Sequence, residues 1–346
     1  MITLKGSEKI GLISNLATML SAGIPILEVV NSLLEDAKGS PKIILEALKE
    51  DLTSGKRISV SFARFPRVFD PVTINVITAA ETSGTLDITL KDLKEGIRKE
   101  MEFSDKVKSS LLYPIFIMII FAAVLLLVLV VVIPKIAMVF EKLRVSLPLP
   151  TRILIFFSTV LLHYTVFVIA GVTLLVIGII ILFRIKRNVV FDLLFSFPLI
   201  STLIKEIDLT RFSRNLSLLL SSGLPIAVAL ELIAHVVIRR QTARILLTSR
   251  DMVMAGKTLS EGFRVSKGYF PAIMVKLVEA GEKTGTLDKS MQEISEYFDY
   301  QVTNRLKLLT SLLEPIMLVV VGIVVGGMML AIVGPIYGLV SQVGAR

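Results

Sequence analysis

Glu81-Thr-Ser-Gly84-Thr85-Leu86-Asp87 returns as Glu282-Lys-Thr-Gly285-Thr286-Leu287-Asp288, a shift of 201 positions (85 + 201 = 286). The match extends outward in both directions. Leu20-Ser21-Ala22-Gly23-Ile24-Pro25-Ile26 pairs with Leu220-Ser221-Ser222-Gly223-Leu224-Pro225-Ile226, and Gly55-Lys56 with Gly256-Lys257. Past the phrase, Leu111-Leu112-Tyr113-Pro114-Ile115 pairs with Leu312-Leu313-Glu314-Pro315-Ile316, and Pro134 falls on Pro335, the two prolines being expected to close the corresponding spans in both copies. Unrelated segments do not hold register over about a hundred residues, so the chain is a duplication. Each copy holds a polar helical part followed by an apolar run, and the stretch between copies adds a third run.

Composition agrees with a chain that is part bilayer and part water. Hydrophobic residues make up 53% and mean hydropathy is +0.77, too apolar for an ordinary soluble domain, yet 19% of residues are charged. No Arg, Lys, Asp or Glu interrupts Pro114 to Pro134, Ile153 to Phe183, or Pro315 to Ala345. Roughly 20 apolar residues cross the hydrocarbon as a helix, so three spans are expected. The second and third runs exceed that length and leave room for tilt or for an interfacial portion. Residues 1 to 100 show no leading apolar run behind a basic start, which places the amino-terminal part on the side of synthesis.

Lys and Arg near the span ends set the expected orientation. Lys91, Lys94, Arg98, Lys99, Lys106 and Lys108 approach span one; Arg184, Lys186 and Arg187 leave span two; Arg305 and Lys307 approach span three. Between spans one and two stand Lys135, Lys142, Arg144 and Arg152, and after span three only Arg346. The expected order is a first cytoplasmic helical bundle at 1–110, a span at 111–134 and a short outer loop at 135–152. A span at 153–183, a second cytoplasmic bundle at 184–311, and a span with a short outer tail at 312–346 follow. With no Cys in the chain, disulfide and thiol chemistry are excluded.

The polar parts read as helical hairpins with no sheet. Ile13, Leu16, Ala17 and Leu20 recur at helical spacing before a break at Gly23-Ile24-Pro25, and Gly223-Leu224-Pro225 repeats it. Glycine suits a left-handed helix end and proline the start of the next helix. Gly84 and Gly285 read as left-handed end residues, Thr85 and Thr286 can cap the next helix, and Asp87 and Asp288 meet its positive end. Glu81 and Glu282 stand near a helix carboxyl end, where the dipole disfavours a carboxylate by a few tenths to about 1 kcal/mol. Two readings are open: a solvated helix end beside a Lys or Arg, or a corner at which Glu81, Asp87, Glu282 and Asp288 make specific contacts with a partner or between copies. Backbone geometry alone explains each glycine.

Spacing removes most chemistry. Gly256-Lys257-Thr258 imitates the end of a phosphate loop, but the Gly required five positions earlier is Asp251, and Gly55-Lys56-Arg57 lacks the hydroxyl. His163 and His235 stand apart without ligand spacing. Neither Gly-x-Ser-x-Gly nor an aspartate pair within a span is present. No catalytic, cofactor or metal site is expected. In span three, Gly322 and Gly326, Gly327 and Ala331, and Gly334 and Gly338 lie four apart, a pattern that lets another helix approach closely.

These features together resemble the inner-membrane platform proteins of type II secretion systems and type IV pili, the secretion F or pilus C family. The resemblance covers almost the whole chain. It rests on the paired Leu-Ser-Ala/Ser-Gly-Ile/Leu-Pro openings, the phrases at Glu81 and Glu282, Tyr113-Pro114 and Glu314-Pro315, and Leu147-Pro148-Leu149-Pro150-Thr151-Arg152. It implies two cytoplasmic six-helix bundles, three transmembrane helices and a mechanical role without catalysis. A platform of this kind couples a cytoplasmic hexameric ATPase to insertion of pilin or pseudopilin subunits into a filament. The implied partners are that ATPase, the pilins, other inner-membrane assembly proteins and a second copy of the chain, with no direct nucleic-acid binding. Net charge of +9 suits anionic lipids, with Lys99 to Lys108 as the expected lipid contact. The alternative is a repeat-built transporter, which would place polar or broken segments at mid-membrane.

Overall fold

The computed structural model describes residues 2–143, 149–164, 198–266 and 268–343, with 167, 170, 173, 174, 177 and 178. Thirteen of the 31 residues of the expected second span, the loop motif Leu147-Pro148 and the basic residues Arg144, Arg184, Lys186, Arg187 and Arg346 lie outside the described residues. Every regular element among the described residues is helical.

In the first copy the order is α1 (Gly6–Ser21), α2 (Ile26–Asp36), α3 (Ser40–Thr53), α4 (Ile58–Ala63), α5 (Pro71–Ser83) and α6 (Leu86–Leu127). A π-helical turn, Val128–Val132, leads to α7 (Ile133–Leu143), and α8 is Leu149–His163. The second copy repeats the short helices as α9 (Pro198–Ser221), α10 (Ile226–Ala234), α11 (Arg240–Met254), α12 (Leu259–Val265) and α13 (Ala272–Thr284). It ends in α14 (Leu287–Val343).

The chain divides into two compact units. One joins residues 1–106 and 202–304, so the polar parts of both copies form a single unit. Its first core gathers Ile13, Leu16, Val29, Ile44, Leu48 and Ile77 around Phe62 and Phe69, which stack with centroids 4.0 Å apart. The second core repeats the pair 201 positions on, Phe263 and Phe270 at 4.2 Å, with Phe212 edge-on to Phe263. Fully burying such a side chain contributes about 1.5–3 kcal/mol, which is what fixes short helices such as α4 and α12 that could not persist alone.

The glycine breaks stand where the sequence placed them. Gly84 ends α5 at φ 74° and Gly285 ends α13 at φ 70°, with Thr85 N donating to Ala80 O and Thr286 N to Gly281 O. A β-carbon disfavours that backbone, so glycine is the economical residue there. Gly23 and Gly223 also take positive φ, and Pro25 and Pro225 stand immediately before α2 and α10.

The second unit comprises residues 107–201 and 305–346. Two helical stretches are long and apolar enough to cross a membrane, Leu86–Met138 and Leu287–Gly327. One expectation needs correction. Pro134 and Pro335 do not close their helices: α7 contains Pro134, and α14 runs through both Pro315 and Pro335. Proline removes one donor and presses on the carbonyl four residues back. The π turn directly ahead of Pro134 widens the ladder at that point, and an apolar helix tolerates proline where local adjustment re-satisfies the backbone. Residues 133–143, within and just before the stretch drawn as an outer loop, are likewise helical.

Candidate functional site

The corner carboxylates turn back into their own copies. Glu81 accepts from Ile58 N and Ser59 N, at 2.5 and 3.2 Å, and from the Ser59 hydroxyl, which together open α4. Glu282 repeats this on α12, accepting from Leu259 N and from Ser260 N at 3.0 Å. Thr258 completes the second cap, since its hydroxyl accepts from Glu261 N at 3.2 Å while Glu261 accepts from Thr258 N at 3.0 Å. A carboxylate that suffers at the end of α5 or α13 therefore meets the positive end of a neighbouring helix, which offsets the penalty. Each corner threonine uses its hydroxyl on its neighbour, Thr85 on Ser83 and Thr286 on Thr284, both at 2.7 Å. Asp87 and Asp288 occupy the first turns of α6 and α14 and are half-buried.

Within the first unit a second feature joins the copies. Arg214 on α9 donates to Glu100 of α6 at 2.8 Å, lies 3.7 Å from Asp299 of α14, and stands 5.4 Å from the centre of the Phe103 ring. Arg211 approaches the other Glu100 oxygen at 2.9 Å. Lys106 pairs with Asp299 at 2.9 Å, so Arg214, Glu100, Arg211, Asp299 and Lys106 interlock across the two copies with Arg214 at their centre, and Lys99 pairs with Glu296 at 3.2 Å alongside. Apolar contacts run alongside: Val72 and Val76 of α5 enter the second copy's core. Beside them opens a cleft of about 400 Å³ lined by Asp92, Glu95, Lys99, Arg214, Asp288 and Lys289.

Asp288 is thus the one corner acid placed at this junction, and its carbonyl also accepts from the Ser217 hydroxyl at 2.8 Å. Glu81 and Glu282 are spent in their own helix caps. Sequence reasoning missed Arg214, Glu100 and Asp299. The signal available was divergence: at the register of the openings Arg214 corresponds to Ser14 (214 − 200 = 14), and Glu100 corresponds to Gln301 (100 + 201 = 301). Charges of both signs meet in this cleft. Among the small-residue positions of α14, a side chain added at Gly322, Gly326 or Gly327 would meet nothing within 4 Å, and Gly334 and Gly338 lie further along the same helix.

Comparison with known proteins follows the same duplication. The profile of the family described as type II secretion system (T2SS), protein F, matches residues 12–134 and again 212–335. The chain belongs to the type II secretion system protein F family. Its relatives include a type IV pilus assembly protein PilC of Myxococcus xanthus, 28% identical over 94% of this chain and 79% of that one. A type 4 fimbrial assembly protein PilC of Pseudomonas putida is 28% identical over 97% and 85%. A type II secretion system protein F of Pseudomonas aeruginosa is 27% identical over 95% and 82%. In this chain the polar parts of the two profile matches meet at the Arg214 junction.

Removing the hub tests the junction. Arg214→Ala leaves Glu100 to Arg211 and Asp299 to Lys106 and removes the one side chain that joins the two pairs, a cost of about 2 kcal/mol. Amide exchange of peptides covering 96–106 and 211–218 is expected to rise by about thirtyfold, the equivalent of that energy. Exchange confined to residue 214 itself would show that the copies are held by apolar contacts alone.

Proposed function

We propose that the chain is a non-enzymatic inner-membrane platform that couples a cytoplasmic assembly ATPase to insertion of pilin or pseudopilin subunits into a filament. The observation that carries this reading is the co-linear match, through both copies, to proteins named for pilus assembly and for type II secretion. The geometry suits it. Two polar bundles locked by ion pairs form a stiff body for an ATPase to act on, and α6 and α14 are single helices that continue from polar into apolar sequence. In this reading the bundles hold six helices each, three helices span the bilayer, the amino terminus is cytoplasmic, and Gly322, Gly326 and Gly327 receive helices within the membrane.

The test is a pull-down of the detergent-solubilised full chain against its cognate ATPase and pilins. Wild type is expected to recover both. Recovery of neither, under conditions that keep the complex intact, rejects the platform reading and returns attention to a repeat-built transporter.

A further inference from the structure

The junction between copies uses different faces on its two sides. The first copy offers α5 and α6; the second offers α9, α10 and part of α14. An interface of this kind leaves the repeat of each face unused, because the second copy also owns an α5–α6 face, on α13 and α14, and the first copy also owns an α9–α10 face, on α1 and α2. Burial confirms that the former is open. Val72 is 3% exposed, while its counterpart Ile273 is 45% exposed (72 + 201 = 273). Tyr300, the counterpart of Lys99, is 63% exposed, and Tyr297 is exposed beside it.

The residues on the two unused faces differ from the junction in matched pairs. At the junction small meets large: a β-carbon on Gly96 would stand 3.6 Å from Leu218. On the unused faces the order is reversed, with Tyr297 in place of Gly96 and Thr18 in place of Leu218. Charge follows the same rule. Glu100 faces Arg211 and Arg214 at the junction, whereas its counterpart Gln301 is neutral, and so are Gly11 and Ser14, the counterparts of the two arginines. Loss of charge on one side alone would leave the other without its complement. Here both sides lose it together, and volume moves from one side to the other.

We infer that a second copy of this chain is the occupant: the α13–α14 face of one molecule docks on the α1–α2 face of another, with Tyr297 and Tyr300 filling the space over Gly11, Ser14 and Thr18. Aromatic residues at a docked centre with neutral, small counterparts match the composition of protein interfaces. The inference stands on the duplication and does not depend on the platform reading.

Because the chain has no cysteine, introduced thiols report it directly. Full-length Thr18→Cys and Tyr300→Cys chains carrying different tags are co-expressed in membranes and oxidised with copper phenanthroline. A disulfide-linked heterodimer between the two tags is expected. In a second arm, Tyr300→Glu in the cysteine-free chain places a charge at the centre of the contact and weakens self-association in detergent by about tenfold or more, read by mass photometry. Links only between two Tyr300→Cys chains, no links at all, or an unchanged oligomer distribution in Tyr300→Glu would each overturn the inference.

Discussion

Glu282→Ala is expected to melt α12 at its start, and Glu81→Ala to do the same to α4. These helices are seven and six residues long and cannot pay for their own nucleation. Each begins with backbone N–H groups aimed at one carboxylate, Leu259 and Ser260 on Glu282, and Ile58 and Ser59 on Glu81. Hydrogen bonds to a charged acceptor contribute about 1.5–3 kcal/mol, and partial exposure brings two of them here to about 2–3 kcal/mol in total. The loss reaches the cores, because α4 carries Phe62 against Phe69 and α12 carries Phe263 against Phe270. Amide exchange of peptides over 58–63 and 259–265 is the readout, with Glu→Gln, which keeps one accepting oxygen, falling between wild type and alanine. Wild-type exchange in both alanine variants would show that packing alone holds these helices, and would free the two acids for a partner.

That outcome bears on how far the sequence could be read. Corners were legible because glycine with positive φ is needed wherever a helix ends in a left-handed residue, and Gly84 and Gly285 mark such ends in both copies. The oddity of a carboxylate at a helix carboxyl end was legible too. Its destination was not, because the receiving groups are backbone amides 22 and 23 residues upstream, and backbone amides leave no mark in residue type. Proline misled for a related reason. Its rule is written for a ladder that must stay regular, whereas α14 carries Pro315 and Pro335 without ending. The junction was hidden because repeat analysis rewards agreement, and Arg214, Glu100 and Tyr297 are positions at which the copies disagree. Once the fold is known, those disagreements become the informative residues.

Asp208 is the sharpest such disagreement, and Asp208→Ala is expected to cost more than either corner variant. Its side chain is inaccessible to solvent and accepts from Ile238 N and Arg239 N, both at 2.8 Å, and from the Thr242 hydroxyl at 3.2 Å. Thr242 passes the network on to the Tyr269 hydroxyl at 2.6 Å. Alanine would leave two amides at the start of α11 and a buried hydroxyl without their acceptor, about 3–4 kcal/mol. The counterpart in the first copy is Glu8 (208 − 200 = 8), an exposed residue that accepts from Lys5 N, so Glu8→Ala is expected to cost only about 0.5–1 kcal/mol. The two variants separate a buried network from an ordinary cap at the same place in the repeat. Acidity adds a second signature. Burial pushes the Asp208 carboxyl above the usual carboxylate range, against the pull of its three donors. Between the unfolded and the raised folded value the native state holds a proton that the unfolded chain has released. Stability therefore falls as pH climbs through that window and is flat above it. Asp208→Asn removes the titration, so the exchange stability of α11 should lose this decline with pH while remaining below wild type, because the amide offers only one accepting oxygen. A decline that survives in Asp208→Asn would assign the titration to another group.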